Sequence, residues 1–174
     1  MPSIHLTKLK FFLSGILLLG SLSTPLFALP EDRHKIAQLN ANTADLNQQT
    51  HTGEYVGEVE FDQGTTHLRA LRAITRGDKD NKLEFAAAFG DKTTPAHYWE
   101  QIALDKPVLH AYAQEIRYYP AKHLVELLGN ARIVQGEDSF SAPDIRYDTE
   151  KQHVIAKSNA TTRTQIIFHP GKSS

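Results

Sequence analysis

Residues 57–64 read Gly-Glu-Val-Glu-Phe-Asp-Gln-Gly, and residues 129–136 read Gly-Asn-Ala-Arg-Ile-Val-Gln-Gly. In the first stretch Val59 and Phe61 alternate with acidic residues, and the alternation extends back to Tyr55. A period of two with one apolar side is typical of a half-buried β-strand. Both stretches end in Gln-Gly, and glycine is well suited to a tight turn. The two stretches therefore predict strands that end in turns.

Similar alternation recurs along the chain, and turn residues separate the alternating stretches. It predicts strands at Thr66–Thr75, Lys82–Phe89, Ile116–Leu127, Ala131–Gln135, Phe140–Tyr147 and Gln165–Phe168. Turns are predicted at Gln63-Gly64, Gly77-Asp78, Gly129-Asn130, Gln135-Gly136, Pro143-Asp144 and His169-Pro170-Gly171. A helical period is rare; residues 35–46 could form a short amphipathic helix, and residues 86–88 favour helix locally. We expect an all-β chain.

The sequence also contains an internal repeat. At an offset of 72, Gly57 aligns with Gly129, Phe61 with Ile133, Gln63-Gly64 with Gln135-Gly136, Leu68 with Phe140 and Ala70 with Ala142. At an offset of 70, Leu39 aligns with Leu109, Ala41 with Ala111 and Leu46 with Ile116, and Gly90 could mark a further half-copy. Repeated strand–turn units indicate that each unit buries its apolar side only by stacking on its neighbours.

Length, charge and cysteine content exclude several classes of protein. The 174 residues allow one domain, or two at most, with a substantial core. The net charge is −1, so the chain lacks the basic surplus of most nucleic-acid-binding proteins. There is no cysteine, which excludes disulfide scaffolds, thiolate metal sites and cysteine nucleophiles.

Residues 1–28 have the layout of a secretory signal peptide. Lys8 and Lys10 precede an apolar run from Phe11 to Leu22, and Pro25 and Ala28 follow it near the expected cleavage point. The run is shorter than the roughly 20 apolar residues that a membrane-spanning helix needs. We therefore expect cleavage near Ala28, a single mature domain at 29–174 and export to the periplasm.

Motifs for catalysis or for metal binding are missing. The sequence contains no zinc-protease, serine-hydrolase or phosphate-loop motif, and its histidines are scattered. Residues 78–82 begin like a calcium loop, but Leu83 stands where that loop needs glycine. We predict no enzyme activity, no cofactor and no metal site. Arg69, Arg72 and Arg76 could contact phosphate groups, but a solvated sheet face is the stronger interpretation, because arginine is mostly exposed in proteins.

The order of these motifs resembles that of the LptA (OstA-like) family of periplasmic lipopolysaccharide-transport proteins. The first copy comprises 41–46, 57–64 and Leu68-Arg69-Ala70, and the second comprises 113–118, 129–136 and Phe140-Ser141-Ala142. The resemblance covers about Leu39 to Phe168, which is nearly the whole mature chain. One departure is Glu58, where the family often has asparagine; Asn130 keeps that residue in the second copy.

The resemblance implies a fold and a function. The fold is an open, twisted β-jellyroll of many short antiparallel strands with an apolar groove for the acyl chains of lipid A. The implied function is to carry lipopolysaccharide from the inner-membrane transporter, through an LptC-like component, to an LptD-like outer-membrane translocon. The resemblance also implies a head-to-tail homo-oligomer that spans the periplasm.

An apolar groove suits this cargo on physical grounds. Exposing an acyl chain of about 14 carbons to water costs roughly 11 kcal/mol, at about 0.8 kcal/mol per CH₂. The alternation predicts this groove lining: Leu39, Leu46, Tyr55, Val59, Phe61, Leu68, Leu83, Phe85, Phe89, Ile116, Tyr118, Ile133, Phe140 and Tyr147. The same residues could instead form a dry core.

Exposed sheet edges are predicted at both ends of the stack, at Ile36–Leu39 and at Gln165, Ile166, Ile167 and Phe168. Unpaired edges can join another chain. Three alternatives stay open at the level of the sequence. They are a membrane-anchored LptC-like component, a lipocalin-like carrier with a closed barrel, and a hydrolase with an unrecognised site.

Overall fold

The computed structural model describes residues 35–151 and 153–169. One antiparallel sheet contains twelve strands. They are β1 (Gln38–Asn40), β2 (Thr43–Asn47), β3 (Thr52–Gln63), β4 (Thr66–Gly77), β5 (Leu83–Phe89), β6 (Ala96–Glu100), β7 (Leu109–Ala113), β8 (Glu115–Tyr119), β9 (Leu124–Gln135), β10 (Asp138–Asp148), β11 (His153–Lys157) and β12 (Gln165–Ile167). The predicted signal peptide, residues 1–28, lies outside the described residues. Within the described ranges no helix is long and apolar enough to cross a membrane.

The four long strands β3, β4, β9 and β10 fold the sheet into two facing halves. A register shift interrupts the β3–β4 pairing between Val56 and Val59, and another interrupts the β9–β10 pairing between Ala142 and Asp144. On one side of these bends the hydrogen-bonded order is β1-β3-β4-β6-β7-β9-β10-β12, which we call half A. On the other side it is β2-β3-β4-β5-β8-β9-β10-β11, which we call half B.

The internal repeat is visible in the hydrogen bonds. The Gln63 side-chain amide donates to the Lys35 carbonyl at 3.1 Å, and 72 residues later Gln135 donates to the Pro107 carbonyl at 3.1 Å. A single offset of 72 also relates the strand pairs, because Leu39 lies opposite Phe61 as Ala111 lies opposite Ile133. The predicted offset of 70 for the first part of the repeat is therefore wrong.

Backbone conformation explains the bends. Gly57 and Glu58 have φ of 81° and 48°, and their repeat equivalents Gly129 and Asn130 have φ of 78° and 51°. Such left-handed residues inside a strand form a β-bulge, which bends the strand and increases its twist. The predicted turns at Gly129-Asn130 and Pro143-Asp144 are therefore bends within continuous strands.

Several strand boundaries differ from the sequence prediction. The predicted strand at 116–127 is two strands, because Pro120–Lys122 forms a 3-10 turn and His123 adopts the left-handed conformation. Residues 35–46, which could have been helical, contain β1 and most of β2. Strands β6, β7 and β11 were not predicted. The all-β prediction and the open arrangement are confirmed, since within the described chain the end strands β1 and β2 pair with neither β11 nor β12.

Candidate lipid-binding interior

Two continuous ladders of mostly apolar side chains line the space between the halves. In half A, cross-strand neighbours run Leu39, Phe61, Leu68, Tyr98, Ala111, Ile133, Phe140 and Ile166. In half B they run Ala44, Tyr55, Ala73, Ala88, Ile116, Leu127, Ile145 and Ala156. Residues directly opposite each other in a sheet share one face. The interior is thus apolar from the first pair of strands to the last.

The interior is closed at its middle and exposed at its two ends. Tyr98, Ala111 and Leu127 are at most 3% exposed, so the halves pack tightly against each other there. At the first end Leu46 is 63% exposed, and at the last end Ile166 is 50% exposed. Both residues lie on the interior face by register, opposite Gly53 and Phe140 respectively. Apolar surface is therefore available to solvent at both ends of the stack.

The residues predicted to line the groove fall into three groups. The first group is buried on the interior face and comprises Val59, Ile116, Tyr118, Ile133, Phe140 and Tyr147. The second group is half-buried and comprises Leu39, Tyr55, Phe61, Leu68 and Leu83, while Leu46 is exposed at the open end. Phe85 and Phe89 lie on the outer face of half B, so their predicted orientation is wrong.

The orientation of β5 follows from its neighbours. Ala88 lies opposite the buried Ala73, so Phe85 and Phe89 point to the other side of the sheet. There the guanidinium of Arg72 lies 4.8 Å from the centre of the Phe89 ring, and that of Arg76 lies 5.6 Å from the centre of the Phe85 ring. Stacked cations shield these rings from water. Small alanines face the interior instead.

One buried carboxylate interrupts the apolar interior of half A. Glu100 is 1% exposed and accepts hydrogen bonds from the Thr66 hydroxyl at 3.0 Å and from the Tyr98 hydroxyl at 2.7 Å. Burial and the neighbouring Glu100 carboxylate raise the pKa of Tyr98 well above its ordinary value. The sequence prediction missed this group because β6 itself was not predicted. These hydrogen bonds offset part of the cost of burying the carboxylate.

The outer face of half A carries a row of stacked rings. His97 contacts Trp99 and Tyr112 at ring-centre distances of 4.5 Å and 4.2 Å. His97 Nε2 also lies 3.0 Å from His110 Nδ1. Burial, followed by the charges of His110 and Arg69, lowers the pKa of His97 to about 4. Within residues 35–151 and 153–169, no three His, Asp or Glu side chains are grouped as a metal site.

The predicted edges coincide with the outermost strands of half A. Strand β1 pairs with β3, and β12 pairs with β10. Ile36 is 89% exposed just before β1, while Ile167 and Phe168 are 41% and 54% exposed at the other end. Among residues 35–151 and 153–169, each of these outermost strands therefore pairs on one side only.

Comparison with known proteins adds a family to this geometry. Residues 38–153 match the family described as "LptA/(LptD N-terminal domain) LPS transport protein". LptH of Pseudomonas aeruginosa, named a lipopolysaccharide export system protein, is 31% identical over 144 residues, which is 83% of this chain and 79% of LptH. LptA of Haemophilus influenzae is 26% identical over 169 residues, or 94% of this chain and 96% of that protein. LptA of Escherichia coli K12 is also 26% identical, over 95% of this chain and 86% of its own length.

A solved structure has the same fold. The crystal structure of P. aeruginosa LptH, described as the LptA-homologous periplasmic component of the lipopolysaccharide transport device, superposes with a TM-score of 0.68 at 28% identity. The match covers 81% of this chain and 100% of the LptH chain. Because the family match spans most of the sequence and the fold agrees, this chain belongs to the LptA/LptD N-terminal family of lipopolysaccharide-transport proteins.

Proposed function

We propose that this protein carries lipopolysaccharide across the periplasm and shields the acyl chains of lipid A between its two halves. The observation that carries the proposal is the pair of apolar ladders running through every strand level from β1 and β2 to β11 and β12. Burial of an acyl chain against an apolar interior of this length offsets the roughly 0.8 kcal/mol that each exposed CH₂ costs in water.

The family and its named members support this choice among the alternatives. The relatives above are named LptA and LptH, which favours a bridge protein over a membrane-anchored LptC-like component. A lipocalin-like carrier needs a closed barrel, whereas the terminal strands here stay apart within the described chain. The named relatives are export proteins, which favours a role in transport over hydrolysis.

The partners follow from the same function. We propose an LptC-like inner-membrane component at one end, an LptD-like outer-membrane translocon at the other, and further copies of this chain between them. Exposed outer strands at both ends favour such joining by strand pairing. The periplasm is the proposed location, with residues 1–28 as the export signal.

The direct test is mass spectrometry of lipid that co-purifies with the protein from the periplasm. We expect lipid A species in stoichiometric amounts. A protein that purifies without lipid, and that does not bind added lipopolysaccharide when fluorescence titration is used, would contradict the proposed function. Intact-mass measurement of the same sample reports whether cleavage occurs near Ala28.

A further inference from the structure

On the side of half A that lies away from the bends, the connection between β6 and β7 differs from the other turns. The β3–β4 and β9–β10 connections on this side are tight turns at 64–65 and 136–137. Between β6 and β7 the chain instead forms a loop at 101–108. Hairpin connections commonly have about two to five residues, so loop 101–108 is longer than a strand pairing of this kind needs.

The loop returns one side chain to the interior. Ile102 is 4% exposed and belongs to the buried apolar cluster, while Leu104 at the tip of the loop is 83% exposed. The flanking residues Glu100 and Leu109 are 1% and 0% exposed. At the tight turns, by contrast, Gln63 and Gln135 are only half-buried. The loop therefore covers the interior at the middle of the stack.

Hydrogen bonds hold the loop as a compact unit. The side-chain amide of Gln101 donates to the carbonyls of Ala103 and Lys106, the second at 2.5 Å. Gln135 donates to the Pro107 carbonyl at 3.1 Å from the neighbouring strand. Gln101 belongs to the loop itself and Gln135 belongs to half A, so these hydrogen bonds do not hold the loop to half B. On the side away from the bends, no strand pairing among the described residues joins half A to half B.

The geometry points to a lid. The halves are joined at their bends, so the opposite side of the stack is where they can separate. We propose that loop 101–108 is a lateral lid, that Ile102 is its plug, and that acyl chains occupy the closed middle of the interior only when the loop swings outward. This inference rests on the proposed function, because the cargo that displaces Ile102 is the lipid of that function.

The absence of cysteine from the sequence makes a thiol probe of the lid possible. Ile102→Cys introduces a single buried thiol, and Leu104→Cys introduces a matched exposed thiol on the same loop. In the ligand-free protein we expect a maleimide to react with Ile102→Cys at least tenfold more slowly than with Leu104→Cys. Adding purified lipopolysaccharide should accelerate the Ile102→Cys reaction at least threefold and leave that of Leu104→Cys unchanged.

A second variant tests the lid without lipopolysaccharide. The loop 101–108 is replaced by Gly-Glu, the protein's own turn at 136–137, and entry of the apolar dye N-phenyl-1-naphthylamine is followed by fluorescence. We expect dye entry at least tenfold faster than in the unaltered protein. If the shortened variant does not fold, as judged by circular dichroism, Gln101→Ala replaces it with an expected acceleration of at least threefold.

The outcomes separate the lid from the transport function. Lipopolysaccharide binding with an unchanged labelling rate at Ile102→Cys overturns the lid and leaves the transport function standing. Failure to bind lipopolysaccharide overturns the transport function, and dye entry then decides about the lid alone. Equal dye entry in folded variants with and without the loop overturns the lid.

Discussion

At the scale of single residues, the bend of β9 depends on Gly129. Its φ is 78°, and a Cβ atom there would lie 2.6 Å from the Gln114 side-chain oxygen. We predict that Gly129→Ala lowers the free energy of unfolding by about 1–3 kcal/mol, because the left-handed conformation disfavours a Cβ. Urea unfolding followed by circular dichroism measures the change.

Asn130 provides the matched control, because it also has a positive φ of 51°. Asn130→Gly should change the free energy of unfolding by less than about 0.5 kcal/mol, since glycine adopts this conformation without strain. Equal stability of Gly129→Ala and the unaltered protein would show that the bend does not depend on this backbone conformation.

The stacked histidine on the outer face of half A predicts a dependence of stability on pH. Burial, then the charges of His110 and Arg69, lowers the pKa of His97 to about 4 in the folded protein, against 6.5 ordinarily. Protonation of His97 therefore favours the unfolded chain. The contribution of His97 to the free energy of unfolding is fully present above about pH 6.5 and is lost as the pH falls toward 4. Solvent screening at this half-buried site limits the loss to about 1 kcal/mol at pH 5.

The variant His97→Gln isolates this contribution. We expect the free energy of unfolding of the unaltered protein to fall between pH 7.5 and pH 5, and that of His97→Gln to fall by about 1 kcal/mol less. The lowered pKa of Asp62 acts at more acidic pH, since that carboxyl already titrates below its ordinary 3.8. Parallel curves for the two proteins would mean that His97 does not contribute.

At the scale of strands, the opposite orientations of β3 and β5 predict opposite responses to a new charge. Phe61 lies on the interior face opposite Leu39 and Leu68, whereas Phe85 lies outside under Arg76. We predict that Phe61→Asp weakens lipopolysaccharide binding at least tenfold, or about 1.4 kcal/mol, because its charge would lie among acyl chains. Phe85→Asp should bind within threefold of the unaltered protein.

Both variants are tested by fluorescence titration after circular dichroism has shown that they are folded. Glu60→Asp controls for a change beside Phe61 on the outer face of the same strand. Full binding by folded Phe61→Asp would show that this face does not contact the lipid, and weak binding by Phe85→Asp would place lipid on the outside of half B.

The strands also show what the sequence could and could not predict. In β3 the alternate positions differ sharply, with Val59 and Phe61 against Glu60 and Asp62, so the interior side was evident. In β5 both sides are apolar, because Phe85 and Phe89 alternate with alanines. Periodicity therefore does not show which side of β5 faces the interior, and the residues on the neighbouring strands determine its orientation. The exposed strands β1 and β2 were ambiguous because none of their residues is buried and only Leu39 is half-buried.

The internal repeat was easier to predict than the lid, for a physical reason. The bends require glycine or a residue that tolerates positive φ, so Gly57 and Gly129 leave a recurring signature. The burial of Ile102 depends instead on how loop 101–108 folds against distant strands. Ile102 does continue the alternation of Tyr98 and Glu100, and that signal could have been recognised once β6 was known.

At the scale of the whole molecule, the outermost strands at its two ends determine how copies can meet. Strand β12 is a short segment without charge, Gln165, Ile166 and Ile167, and one side of it is unpaired within the described chain. Strand β1 presents a comparable edge at the opposite end. Pairing of unlike edges does not close on itself, so it produces filaments rather than rings.

We therefore predict that deleting residues 165–174 abolishes the growth of oligomers with concentration. The unaltered protein should increase in mass with concentration when light scattering is used, and the folded deletion variant should stay monomeric throughout. Ile166→Pro is a milder variant, since proline cannot donate a ladder hydrogen bond on an edge strand. It should weaken assembly, whereas Ala160→Pro in the preceding loop should leave assembly unchanged, because proline is favoured at this position of the turn that Asn159 caps. Unaltered growth of the folded deletion variant would show that copies join elsewhere, and the two apolar ladders would then end at each molecule instead of continuing into the next.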